Sequence, residues 1–181
     1  MKVIVKIVYL LFSLFFLWYL LLPNLDFPRP LPDSLQSNEP GDMETPFRRA
    51  YYTNYSREEV MAHYMSKQEN LTIFNSVFPI RRLNYPPEEA QTLIRDQTRS
   101  TFLEEIVFPF RESVYINGFE PSHPKDVIFI DGKNWKQKVT VKLIPSNVII
   151  RTILGGISLA LLYFVFKEGL FAVRELVVPK K

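Results

Sequence analysis

The sequence predicts an α+β domain, two helices packed on a mainly antiparallel sheet, flanked by two transmembrane helices. Three observations carry that expectation. The apolar residues of the 181-residue chain gather at its two ends, where long runs pass without charge. In the middle, two stretches repeat at the helical period, each opened by a helix-start signal, and the period then changes from 3.6 to 2. The charge divides in the same way: residues 23–147 hold 15 Lys and Arg against 17 Asp and Glu, and the flanks hold 7 against 2. The basic balance therefore belongs to membrane flanks and not to a nucleic-acid face. With no cysteine in the chain, disulfides, thiolate zinc sites, iron–sulfur clusters and a thiol nucleophile are all excluded.

Residues 1–22 read as a signal-anchor helix. From Ile7 to Leu22, 16 residues pass without a charge, and Lys6 lies close enough to the end to reach the headgroups. About 20 residues at a rise of 1.5 Å cover a hydrocarbon core of roughly 30 Å. Trp18 and Tyr19 mark the far boundary, and Pro23 ends the helix. The absence of small residues at a usable cleavage spacing favours an anchor over a cleaved signal. Residues 23–46 carry six prolines among Asp, Ser, Asn and Gly, the composition of an extended tether.

Residues 47–144 form the expected domain. Residues 48–53 read as a strand. Ser56 and Glu59 then make a capping box, with Tyr55 and Val60 as its hydrophobic staple, ahead of a helix over 57–67 that turns Val60, Met61, Tyr64 and Met65 to one face. A second strand is expected over 74–84. Pro87, followed by Glu88 and Glu89, opens a second helix, expected through Ala90, Leu93 and Ile94 to Arg99 and extendable to Val107, where Pro109 stops it. Beyond it, residues 112–116, 127–130 and 135–144 alternate as a three-stranded meander, with Val139, Val141 and Leu143 inward and Lys138, Thr140 and Lys142 outward. Asp131 to Asn134 make the hairpin turn.

Residues 148–166 form the second span, closed by a basic cytoplasmic tail over 167–181, with Arg151 expected to snorkel. Thr152, Gly156 and Ala160 recur at i, i+4 and i+8, a small-residue stripe that suits either the side chains of the first span or a homodimer seam. Lys2 and Lys6 before the first span, with Lys167, Arg174, Lys180 and Lys181 after the second, predict both termini in the cytoplasm and the domain outside.

Chemistry is thinly signalled. His63 and His123 stand 60 residues apart with no ligand partner at short spacing, so no metal and no cofactor is expected. The densest charge lies over 81–112, where Arg81, Arg82, Arg95, Arg99 and Arg111 face Glu88, Glu89, Asp96, Glu104, Glu105 and Glu112. Asp96 and Arg99 at i, i+3 would make this a solvated, ion-paired helix. Asn54-Tyr55-Ser56 and Asn70-Leu71-Thr72 match the glycosylation sequon. The architecture predicts a non-catalytic interaction, assembly or sensing module in a plasma or inner membrane. Its partners would be the lipid bilayer and another membrane protein or a second copy, with no nucleic acid. The alternative is a membrane-bound hydrolase or transferase using carboxylates near Glu104 and Glu105, which acid–base chemistry would draw on if their surroundings differ.

Overall fold

The computed structural model describes residues 3–66, 77–93 and 100–177. The chain forms two compact units. One runs from Leu25 to Pro145, and the other is made by the two ends, up to Asn24 and from Ser146 onward.

In the first unit, β1 (Leu35–Gln36), β2 (Arg48–Thr53), α2 (Arg57–Ser66), β3 (Arg81–Tyr85), α3 (Pro87–Leu93), β4 (Phe102–Val107), β5 (Ser113–Phe119), β6 (Ile128–Ile130), β7 (Lys133–Trp135) and β8 (Gln137–Ile144) follow in order. Six strands make one sheet in the order β1-β2-β8-β5-β4-β3, every neighbouring pair antiparallel. The α+β class and the antiparallel sheet follow the sequence. The meander does not: β6 pairs only with β7 as a separate ribbon, while β8 lies between β5 and β2. The ribbon closes tightly because Asp131 and Gly132 both hold positive φ, 52° and 74°, the two-residue hairpin geometry that matches strand twist.

The capping box forms as read. The Ser56 N–H donates to Glu59 Oε2 at 2.7 Å, and the Glu59 N–H to Ser56 Oγ at 3.3 Å. Helix α2 then seats Val60, Met61 and Tyr64 against Tyr51, Ile106, Val114, Ile116, Val139, Val141 and Leu143. The inward alternation of β8 is therefore real, and it pairs with that of β2, β4 and β5. One glycine is fixed by this packing: a Cβ on Gly118 would lie 2.0 Å from the Phe102 ring.

Two expectations fail for stated reasons. The second helix does not reach Val107. Helix α3 is described over Pro87–Leu93, residues 94–99 lie outside the described residues, and residues 102–107 form β4. In that strand Phe102, Glu104 and Ile106 share one face and Leu103 and Glu105 the other, so period 2 and burial on both faces override the helical reading. The tether is not a tether beyond Asn24. Leu31 is buried in the core, Leu25 and Phe27 pack against it, and β1 extends the sheet, so the few apolar residues among the prolines suffice to fold the segment onto the domain. The second strand also starts late, at Arg81, with residues 74–76 outside the described residues.

In the other unit, α1 (Val3–Leu21) and α4 (Val148–Val177) pair. Residues Val3–Leu21 and Val148–Gly169 are each long and apolar enough to cross a membrane. The part of the tail over 167–177 continues α4 without a break.

The turn between β4 and β5 departs from local preference. The Arg111 N–H donates to the Phe108 carbonyl at 3.0 Å, with Pro109 second and Phe110 third in the turn, and Phe110 holds φ 61°. A positive φ at the third position is the type II arrangement, which favours Gly, and a side chain there costs roughly 1–2 kcal/mol. Phe110→Gly should therefore raise the unfolding free energy of the full chain by about 1 kcal/mol, read from denaturant melts in detergent micelles. A loss of stability would mean that the contact of this ring with Phe78, centroids 6.5 Å apart, outweighs the backbone cost.

Candidate functional site

Alternation along β4 decides the geometry of the two acidic candidates. Glu104 points to the α2 face and is fully buried, while Glu105 points to the opposite face and is nearly so. Glu104 meets two arginines. Its Oε1 accepts from Arg57 Nε at 2.6 Å and from an Arg82 terminal nitrogen at 2.8 Å, and its Oε2 accepts from Arg82 Nε. Arg57 is there because the cap at Ser56 starts α2, and its guanidinium lies 5.3 Å from the centroid of the Phe102 ring. Arg82 is there because it pairs with Ile106 in the register of β3 on β4. Burial acts to raise the Glu104 carboxyl, but hydrogen bonds from Arg82 and Arg57, with their charges, outweigh it and hold the group below its ordinary value. The same hydrogen bond raises Arg82.

On the other face, Glu105 accepts a hydrogen bond from the Tyr85 hydroxyl, and the Tyr115 ring lies tilted against that of Tyr85, centroids 6.2 Å apart. Ala90 of α3 and Leu103 are fully buried against this pair of rings. Burial first, then the hydrogen bond to Glu105 and its charge, push the Tyr85 phenol up; burial and the Glu105 charge do the same to Tyr115. The structure thus keeps the two carboxylates apart: they are adjacent in sequence and lie on opposite faces of one strand. The charged helix expected around them is a strand, and Asp96 and Arg99 lie outside the described residues.

Other charged residues of the stretch are placed separately. Arg111 and Glu112 form a buried pair at the β4–β5 turn, 2.6 Å at the closest, and Glu112 also accepts the Leu25 N–H at 3.2 Å. Glu88, Glu89 and Arg81 are exposed. His63 approaches the Arg29 carbonyl at 3.3 Å and stands edge-on to Tyr64, and His123 lies in the exposed loop after β5. Asn54 of the first sequon accepts the Lys136 N–H, and Asn70 of the second lies outside the described residues. Among the described residues, no three His, Asp or Glu side chains come together as a metal would require.

Sequence reasoning missed Arg57 and the cluster at Lys138. Lys138 is not a solvated outward lysine. Its ammonium lies 2.7 Å from both Glu39 and Asp42, and those contacts raise it against the opposing effect of burial. No local signal marks these contacts, which join residues 96 or more apart in sequence.

In the helical unit, Arg151 packs against the end of α1. It is buried, and its guanidinium donates to the Leu20 carbonyl at 2.7 Å, to the Leu22 carbonyl, to Asn24 Oδ1 at 2.7 Å and to Ser146 Oγ at 2.7 Å. The arginine thus satisfies carbonyls that the end of α1 leaves open. One turn on, a Cβ on Gly155 would lie 2.3 Å from Leu20 Cδ1, and one turn further Leu159 is buried. Helix α4 therefore faces α1 with Arg151, Gly155 and Leu159. Of the small residues expected to pack, Thr152 returns its hydroxyl to the Val148 carbonyl, a Cβ on Gly156 would meet nothing within 4 Å, and Ala160 is exposed. That stripe does not receive the first span and stays open beside the seam that does.

Because Glu104 has its pKa lowered, its stabilisation is fully present above the ordinary carboxyl value of 4.5 and is lost as pH falls through the folded value. Glu104→Gln should cost about 2 kcal/mol at neutral pH, and the gap between variant and parent should narrow as the pH drops below the ordinary value. Melts of both chains across pH check this; a gap independent of pH would assign the cost to packing. No known protein family, curated protein or solved structure matches the chain, and the functional reading rests on this geometry.

Proposed function

We propose that this is a two-span membrane protein that holds the domain from Leu25 to Pro145 outside the membrane, both termini inside, and acts by interaction rather than catalysis. It belongs on this reading to a plasma or inner membrane and works as an assembly or sensing subunit. The observation that carries the reading is the state of Glu104. Both of its oxygens accept from Arg57 and Arg82, its carboxyl is held ionised, and the side chain is fully buried, so it has no proton to give and no open path to a substrate. Glu105 faces the other way and is occupied by Tyr85, so the two carboxylates do not converge on one reacting bond as an acid–base pair must. The open stripe of Thr152, Gly156 and Ala160 supports self-association or a helix partner.

The absence of cysteine makes the orientation directly testable. Single cysteines at Ser122 or Asn134 should react with a membrane-impermeant maleimide in intact cells, and one at Lys180 should react only after permeabilisation. The reverse pattern overturns the orientation.

The interaction reading has its own test. At normal abundance in the membrane, Gly156→Leu should abolish the crosslinked complex while leaving the α1–α4 pair intact, since a Cβ at Gly156 would meet nothing within 4 Å. Glu104→Gln combined with Glu105→Gln should leave the complex in place. An enzyme using these carboxylates would show the opposite order, losing on the order of 10²-fold or more in rate with the glutamine pair alone.

A further inference from the structure

One end of the sheet carries large apolar side chains that are partly exposed. Phe47 leads into β2 and is 42% exposed, Ile144 ends β8 and is 38% exposed, Val77 precedes β3 and is 52% exposed, and Phe110 tops the β4–β5 turn at 68%. The strand registers bring Phe47, Ile144 and the β4–β5 turn to the same end, because Arg48 faces Lys142, Ser113 faces Ile144, and Val107 faces both Ser113 and Arg81; Val77 adjoins Phe78, whose ring lies 6.5 Å from that of Phe110. The side chain with the most exposed area sits at the residue with φ 61°, where glycine would be easier, so the turn holds a large ring outward against its local preference. This end of the sheet is also where the chain enters and leaves. Ile144 is four residues from Val148, the first residue of α4, which keeps their Cα atoms within about 14 Å by chain length alone. The other entry is Leu25, four residues past the end of α1, tied by its N–H to Glu112 at 3.2 Å beside the same turn.

We infer that Phe110, Phe47, Val77 and Ile144 form a lipid-binding rim that inserts into the headgroup and upper acyl region of the bilayer crossed by α1 and α4. Aromatic and aliphatic side chains on a rigid turn gain from leaving water at that depth, and two short tethers to membrane-length helices keep the surface within reach. The rim rests on the membrane reading above and names the bilayer surface as the domain's own ligand. The exposed Arg81 at the start of β3 adds a cation suited to anionic headgroups.

The test uses the full chain in vesicles of phosphatidylcholine and phosphatidylglycerol, with an environment-sensitive fluorophore on a single cysteine at Phe110, Phe47 or Ser122. The probes at Phe110 and Phe47 should emit to the blue and be quenched several-fold more strongly by headgroup-level nitroxide lipids than the probe at Ser122. Should Phe110→Cys fail to fold, the Phe47 position carries the test alone. Water-like emission at both rim positions overturns the inference. Blue emission without lipid quenching also overturns it, since protein would then cover the rim. Alkaline carbonate extraction separates the two readings: a chain that stays with the vesicles while its rim probes remain aqueous fails only the rim, whereas a chain released from them fails the membrane reading and the rim together.

Discussion

Strand β4 is buried on both faces, and the rest of the domain is arranged to make that possible. A strand with Phe102, Glu104 and Ile106 on one side and Leu103 and Glu105 on the other exposes no face to water, so each side needs a cover and each carboxylate a partner. Helix α2 covers the first side with Val60, Met61 and Tyr64 and brings Arg57 to Glu104 at its first turn. The second side is closed by Ala90 of α3 and by the adjoining rings of Tyr85 and Tyr115, with the Tyr85 hydroxyl on Glu105. Edge strand β3 serves both sides, giving Arg82 to one and Tyr85 to the other.

The helical unit answers a related problem with one residue. In a bilayer, carbonyls at the end of α1 have little water to turn to, and a lone arginine would be costly in the same place. Arg151 and the carbonyls of Leu20 and Leu22 resolve each other's need, with Asn24 and Ser146 taking further donors of the same guanidinium. Gly155 lets Leu20 approach closely enough for this to happen. The small residues Thr152, Gly156 and Ala160 therefore lie on a different face of α4 from Arg151, Gly155 and Leu159, which meet α1.

These features bear on function through what they consume. Ion pairs inside the domain use Glu104, Glu112 and Asp42, each buried and each matched to a cation. A side chain held this way fixes the register of strands and the docking of a helix, a structural use for charge that needs no substrate. Beside its exposed charged residues, the domain leaves the large apolar side chains Phe47, Phe110 and Ile144 in solvent at one end of the sheet.

The sequence by itself determined the two long apolar helices, the capping box at Ser56, the α+β class and the inward set Val139, Val141 and Leu143, because each depends on spacing within about ten residues. Tertiary structure alone decided the conformation of residues 102–107. Glu104 and Glu105 side by side suit a helix start or a solvated face locally, and only the neighbours β3 and β5 supply the backbone hydrogen bonds and the partners that make a buried strand the better state. The same holds for the proline-rich segment, whose Leu25, Phe27 and Leu31 look too few to bury anything until the core offers them a place. For Arg151 the reason is again distance in the chain: its acceptors at Leu20, Leu22 and Asn24 lie more than 120 residues earlier, and no spacing rule connects an arginine in one helix to the last carbonyls of another.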